Sequence, residues 1–257
     1  YVFFLYSSFL FFYKKNYVFG IIMIILCLYT RAVVLYYVPI LILSFIYINN
    51  ESLKSSIKIL IQFFILFIVM FSPWWSLNYV KYDSLVLTHP GTGLVLNLGN
   101  NKHNKSGGND MGVDTNYSEY RSYDSIYDNK YDKDQALISE AILYIQNNPK
   151  HFFQLSIKKF KRFWNIFPNH KNFTSNDFYK YIVFFSFFPV LLISIIYFIK
   201  NMKNLKNLTP LILFILYTTA VHIVTISSLR YRYPVEPILI ILFGQYISIS
   251  FSKFIKN

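Results

Sequence analysis

The chain holds 257 residues, 54% of them apolar and 14% charged, with a mean hydropathy of +0.37. Soluble domains carry roughly 25% charged residues, so this composition excludes a soluble enzyme, a disordered chain and an ordinary DNA-binding protein. A net charge of +13 in so apolar a chain orients membrane helices rather than gathering nucleic acid. The single cysteine, Cys27, excludes an internal disulfide framework and a cysteine-based metal site.

Apolar stretches occupy 1–13, 17–30, 33–48, 57–75, 181–199, 209–227 and 234–251. A bilayer core of about 30 Å takes roughly 20 helical residues, and the four later stretches have that length. The first begins mid-run at Tyr1, with no charged leader and no small-residue cleavage site. It predicts a membrane helix cut short, in a fragment of a longer protein. Joining 17–30 to 33–48 would place Arg31 near the bilayer centre at a cost of about 2.5–3.5 kcal/mol. Two short helices turning at Thr30-Arg31 avoid that cost. Pro39 and Pro189 predict kinks. The expected fold class is an all-α polytopic membrane protein of about seven membrane helices, with a mixed α/β extracytoplasmic segment.

Lysine placement predicts the orientation. Lys14, Lys15, Lys54, Lys58, Lys200, Lys203, Lys206, Lys253 and Lys256 all fall on one side when seven spans alternate, and the positive-inside rule makes that side cytoplasmic. The chain then divides into membrane helices over 1–75, an outer segment over 76–180 and three C-terminal membrane helices over 181–257. The outer side also receives the Arg31 turn, the Leu229-Arg230-Tyr231-Arg232-Tyr233 turn, and Trp74, Trp75 and Trp164. The expected location is the cytoplasmic (inner) membrane.

The outer segment carries 13 Lys/Arg and 10 Asp/Glu. Leu85–Thr88 and Leu94–Leu98 flank His89-Pro90-Gly91-Thr92-Gly93, which reads as a β-hairpin. Residues 101–116 read as a loop. A helix is expected over about 133–147, ended by Asn148-Pro149. A second follows over about 149–166, with Asn148 as N-cap and Pro149 in its first position. Phe153, Ile157, Phe160 and Trp164 line one face of it, and Lys158, Lys161 and Arg162 another. That pattern suits a helix lying on a membrane surface; a helix packed on the outer domain with a solvated basic face suits it equally.

Few residues suggest chemistry. Asp132-Lys133-Asp134 spells the Asp-x-Asp of some metal-holding sugar transferases, but an acidic helix start explains it better. Asp124, Asp128 and Asp132 read as a solvated face. His89, His103, His151 and His170 lack ligand spacing. His222 lies within a span, where ionisable groups are functional candidates, although a satisfied bundle histidine fits equally. Arg230-Tyr231-Arg232 is the best local signal. An extended turn would point both guanidiniums to one side, with Glu236 near enough to pair with one and Arg31 converging on the same place. Planar guanidinium forks suit phosphate oxygens.

The order of motifs resembles a known family. Phe71-Ser72-Pro73-Trp74-Trp75-Ser76-Leu77-Asn78-Tyr79 closes a span, and Val86–Asn101 follows with His89-Pro90-Gly91-Thr92-Gly93. Glu140-Ala141, Asn148-Pro149, Phe163-Trp164 and Arg230-Tyr231-Arg232-Tyr233-Pro234-Val235-Glu236-Pro237 come later. Together with Leu28-Tyr29-Thr30-Arg31, the series resembles the C-terminal half of GT-C type membrane glycosyltransferases, in the dolichyl-phosphate-mannose–protein mannosyltransferase-like family. Leu77 stands where that family usually has Arg, while Asn78 is kept.

The resemblance implies sugar transfer from a polyprenyl-phosphate-sugar donor to a lipid or glycan acceptor at the outer membrane face. The implied substrate-binding residues are Arg31, Asn78, His222, Arg230, Tyr231, Arg232 and Glu236. The family's catalytic base belongs to a first outer loop upstream of these residues, so no residue here is assigned that role. No cofactor and no nucleic acid partner are expected, with a divalent metal left open. An O-antigen polymerase or ligase and a transporter of lipid-linked sugars are the competing classes.

Overall fold

A computed structural model of the protein describes residues 1–108, 123, 125–167, 177–202 and 205–256. The helices are α1 (Val2–Tyr13), α2 (Tyr17–Thr30), α3 (Tyr37–Ile48), α4 (Leu53–Tyr82), α5 (Thr92–Gly99), α6 (Lys130–Asn147), α7 (Pro149–Phe163), α8 (Asp177–Lys200), α9 (Thr209–Val224) and α10 (Glu236–Lys256). Short 3-10 turns cover Ala32–Val34, Lys206–Leu208 and Leu229–Tyr231. No strand occurs among the described residues.

Three helical stretches have the length and apolar composition to cross a membrane, rather than the seven expected: Leu53–Tyr82, Asp177–Lys200 and Lys206–Val224. The other apolar helices, Val2–Tyr13, Tyr17–Thr30, Tyr37–Ile48 and Glu236–Ser252, are shorter. Twelve residues in α1 or α3 rise only about 18 Å at 1.5 Å each. The chain breaks early because Lys15 and Asn50 adopt left-handed backbone (φ 58° and 50°) after α1 and α3, a conformation that ends a helix. The separation of 17–30 from 33–48 holds, since Arg31 is extended between α2 and the 3-10 turn. Pro39 lies in the first turn of α3, where no intrahelical N–H partner is lost. Pro189 does lie inside α8, and Pro73 inside α4.

The long α4 starts where the Ser52 hydroxyl accepts from Ser55 N–H, and it ends at Asp83 in left-handed backbone. It therefore runs past residue 75 into the expected outer segment. Its flanks expose Ile61, Phe64, Ile65, Ile68 and Val69, and α8 likewise exposes Phe185, Leu192, Ile195 and Ile199. Apolar side chains turned outward are what a lipid solvent accepts. The core lies between the shorter helices. Phe12 stacks on Phe45 at 5.1 Å, and Tyr37 meets Phe214 edge-on at 5.1 Å. The Ser194 hydroxyl donates to Leu239 O at 2.6 Å, tying α8 to α10.

The bundle has two chemically different ends. At one end the lysine-bearing turns meet: Lys15 Nζ donates to Asn49 O (3.3 Å), Lys206 Nζ to Asn50 Oδ1 (2.9 Å) and Tyr13 Oη to Asn207 O (2.5 Å). At the other end Tyr6 Oη donates to Pro234 O (2.8 Å), Tyr217 Oη donates to Val33 O, and Tyr29 stacks on Phe71 at 4.5 Å. The segment from α5 to α7 packs on this second end.

The expected hairpin is a helix. Leu94–Leu98 lie in α5, and Leu85–Thr88 form a bend leading to it. Leucine is a good helix former, and α5 receives a cap that its local sequence does not supply. Asp134 in α6 accepts from the backbone N–H of Gly93 (2.8 Å) and Leu94 (3.2 Å). This satisfies two of the orphan donors at the start of α5.

Candidate functional site

The site is built at the end that carries the 3-10 turn Leu229–Tyr231. Because that turn is helical rather than extended, Arg230 and Arg232 diverge instead of pointing to one side. Arg232 is 3% exposed. Its Nε donates to Glu236 Oε1 (3.1 Å), and its Nη1 donates to Phe163 O (3.2 Å) and Asn165 O (2.6 Å). The guanidinium lies 3.8 Å from the Phe187 ring centroid. Arg232 therefore closes the C-terminus of α7, where uncapped carbonyls and the helix dipole favour a cation. Glu236 is occupied with it.

Arg230 is exposed, and its guanidinium rests 5.0 Å from the Tyr231 ring centroid. Tyr231 stacks on His222 at 4.4 Å with planes 7° apart, and His222 stacks in turn on Phe163 at 5.8 Å. His222 Nδ1 sits 3.1 Å from Ile226 O, which assigns the ring proton to Nδ1 and leaves Nε2 an acceptor. Arg31 is exposed, its guanidinium has no hydrogen-bond partner among the described residues, and the turn that follows it is tied to α9 by Tyr217 Oη, which donates to Val33 O. The structure thus stacks Arg230, Tyr231 and His222 together, leaves Arg31 at the same end of the bundle and withdraws Arg232 into the C-terminus of α7.

Asn78 is buried, and its amide donates back to Trp74 O at 2.7 Å within α4. Trp74 packs edge-on to Tyr29 at 6.3 Å, and its buried Nε1 has no hydrogen-bond partner among the described residues. Tyr29 is two residues from Arg31. The exposed guanidiniums of Arg31 and Arg230 are planar donor forks that suit an anion's oxygens.

The remaining candidates fall into structural roles. Asp134 is the cap on α5, while Asp132 and Asp128 are exposed. Among the described residues no group of three or more His, Cys, Asp or Glu is arranged to hold a metal. Asp124 and His170 lie outside the described residues, as do 109–116 of the expected loop. His89 is exposed. His103 N–H donates to Asn101 Oδ1 in a local turn. His151 Nδ1 meets Tyr144 Oη at 2.8 Å, and burial with the nearby Lys158 and Lys159 charges holds it below the usual histidine range. Asn148 caps differently from expectation: its side chain donates to Tyr144 O at 3.0 Å, closing α6, and makes no cap bond to α7.

One buried cation was not anticipated. Lys159, in α7, is 0% exposed. Its Nζ donates to Asn100 Oδ1 (2.8 Å) and to Val224 O (3.2 Å), the last carbonyl of α9. Asn100 Nδ2 donates to the same Val224 carbonyl at 2.8 Å. Burial pushes the Lys159 ammonium down to about 7. A signal for it existed, because Leu155, Lys159 and Phe163 recur at helical spacing as a second stripe beside Phe152.

No family model matches the chain, and neither a curated protein nor a solved structure is significantly similar to it.

Proposed function

We propose that this chain is part of a membrane glycosyltransferase that takes a sugar from a polyprenyl-phosphate donor, with the donor phosphate held at the Arg31–Arg230 end. The observation that carries the reading is the exposed Arg230 guanidinium held on the Tyr231–His222 stack, with the uncommitted guanidinium of Arg31 at the same end of the bundle. The lysine-bearing turns cluster at the opposite end. By the positive-inside rule that opposite end is cytoplasmic, which makes the arginine end, with residues 76–180, extracytoplasmic. Under this reading α1, α2, α3 and α10 complete a seven-helix membrane bundle, the short ones paired against one another.

In the reaction, the bond between the sugar's anomeric carbon and the phosphate oxygen breaks, and the electron pair leaves with the polyprenyl phosphate. The acceptor hydroxyl oxygen forms the new bond to that carbon and gives its proton to a carboxylate base. Negative charge grows on the departing phosphate, and the guanidiniums of Arg31 and Arg230 offset it. Tyr231 holds Arg230 in place through its hydroxyl, which accepts from Arg230 Nη2 at 3.0 Å.

The test is turnover of labelled lipid-linked sugar by the full-length protein carrying Arg31→Ala or Arg230→Ala. The proposal expects both variants to fold normally and lose donor turnover. Unchanged turnover in both would overturn it.

A further inference from the structure

Helix α7 buries the face opposite to the one its sequence favours. Leu155, Lys159 and Phe163 are buried, while Phe153, Ile157 and Phe160 are 66%, 43% and 47% exposed. The three exposed residues stand at i, i+4 and i+7, so they form one continuous stripe. Lys150 and Lys161 are exposed beside it, three residues before Phe153 and four after Ile157. Lys158 is exposed about 100° round the helix from Ile157, and its Nζ donates to Lys105 O at 3.0 Å. No Asp or Glu occurs in 149–163.

The helix cannot roll to hide the stripe. Lys159 fixes its middle to the end of α9 and Arg232 fixes its C-terminus beside the start of α10. Both anchors are ends of apolar helices, so α7 lies against the end of the bundle, and Trp164 follows it directly.

We propose that the outward face of α7 lies in the headgroup layer of an anionic lipid leaflet, with Phe153, Ile157 and Phe160 among the acyl chains and Lys150 and Lys161 on the phosphates. An apolar stripe bordered by lysines, on a helix without carboxylates, is complementary to that surface in both polarity and charge. A protein partner would need a matched acidic rim, and a second copy would bring lysine against lysine. The inference rests on membrane placement of the bundle and not on the sugar-transfer reading.

The test places a nitroxide at Phe153→Cys, Ile157→Cys, Phe160→Cys or Gln154→Cys in a Cys27→Ala background of the full-length protein, reconstituted in phosphatidylglycerol-containing vesicles. Collision with oxygen against a water-soluble nickel complex reads depth. The expected result is oxygen-dominated relaxation at 153, 157 and 160 and nickel-dominated relaxation at 154. A shift of the first three toward nickel is expected when Lys150 and Lys161 both become Gln. If a labelled variant fails to fold, quenching of the indole introduced by Ile157→Trp with brominated phosphatidylglycerol gives the same reading. Nickel-dominated relaxation at all four sites, an unquenched indole in the Ile157→Trp variant, or protection from both agents with spin–spin coupling between copies overturns the proposal.

Discussion

Lys159 donates its ammonium to the carbonyl oxygen of Val224 at 3.2 Å, so a fully buried cation of α7 closes the last turn of α9. The helix dipole and two acceptors favour the charge there, while burial opposes it. This contact joins the segment from α5 to α7 to the helix bundle.

The contact makes stability depend on pH. The folded Lys159 titrates near 7, while an unfolded lysine titrates near about 10.4. Between these values the unfolded chain binds more protons, so stability rises with pH from about 7 to about 10. Below that window the burial penalty is fully present. Thermal unfolding in detergent measures this, and Lys159→Met is expected to flatten the slope. Lys159→Ala also leaves a cavity and lowers the unfolding midpoint.

Arg232 is expected to matter for folding rather than for donor recognition. Arg232→Ala unpairs Glu236 and strips the carbonyls of Phe163 and Asn165, a loss of roughly 3 kcal/mol. Arg232→Lys keeps the charge and cannot reach all three acceptors, so it recovers only part of the loss. The unfolding midpoint of each variant gives the order.

Asp134 is expected to act as a helix cap across sequence. Asp134→Ala removes the acceptor for Gly93 and Leu94 N–H and costs about 1–2 kcal/mol. Asp134→Asn keeps an acceptor and most of the stability. An unfolding midpoint unchanged in Asp134→Ala would contradict the capping role.

Gly99 is expected to tolerate no side chain. A Cβ there would stand 1.8 Å from Thr225 O, and one on Gly93 2.0 Å from Asp134 O. Gly99→Ala must part α5 from the end of α9 and is expected to lower the unfolding midpoint more than Asp134→Ala does.

Some of this was legible in the sequence. Asn148-Pro149 marks the α6–α7 junction correctly because proline fits a first helical turn. The break at Arg31 follows from the cost of burying its charge in lipid. The hairpin at 85–98 fails because the cap that selects helix comes from Asp134, about forty residues away. The pairing of Arg230 with Arg232 fails because a 3-10 turn, unlike a strand, sends neighbouring-but-one residues to different sides. Lys159 was hidden by the convention that lysine marks a solvated face; its partners, Asn100 and Val224, are distant in sequence.

Binding of a polyprenyl phosphate to the full-length protein in nanodiscs tests the central claim most directly, comparing the native chain with the Arg31→Gln/Arg230→Gln double variant. The account predicts that the double variant folds as well as the native protein and loses phosphate-dependent binding. Equal affinity of the two for the lipid phosphate would contradict it.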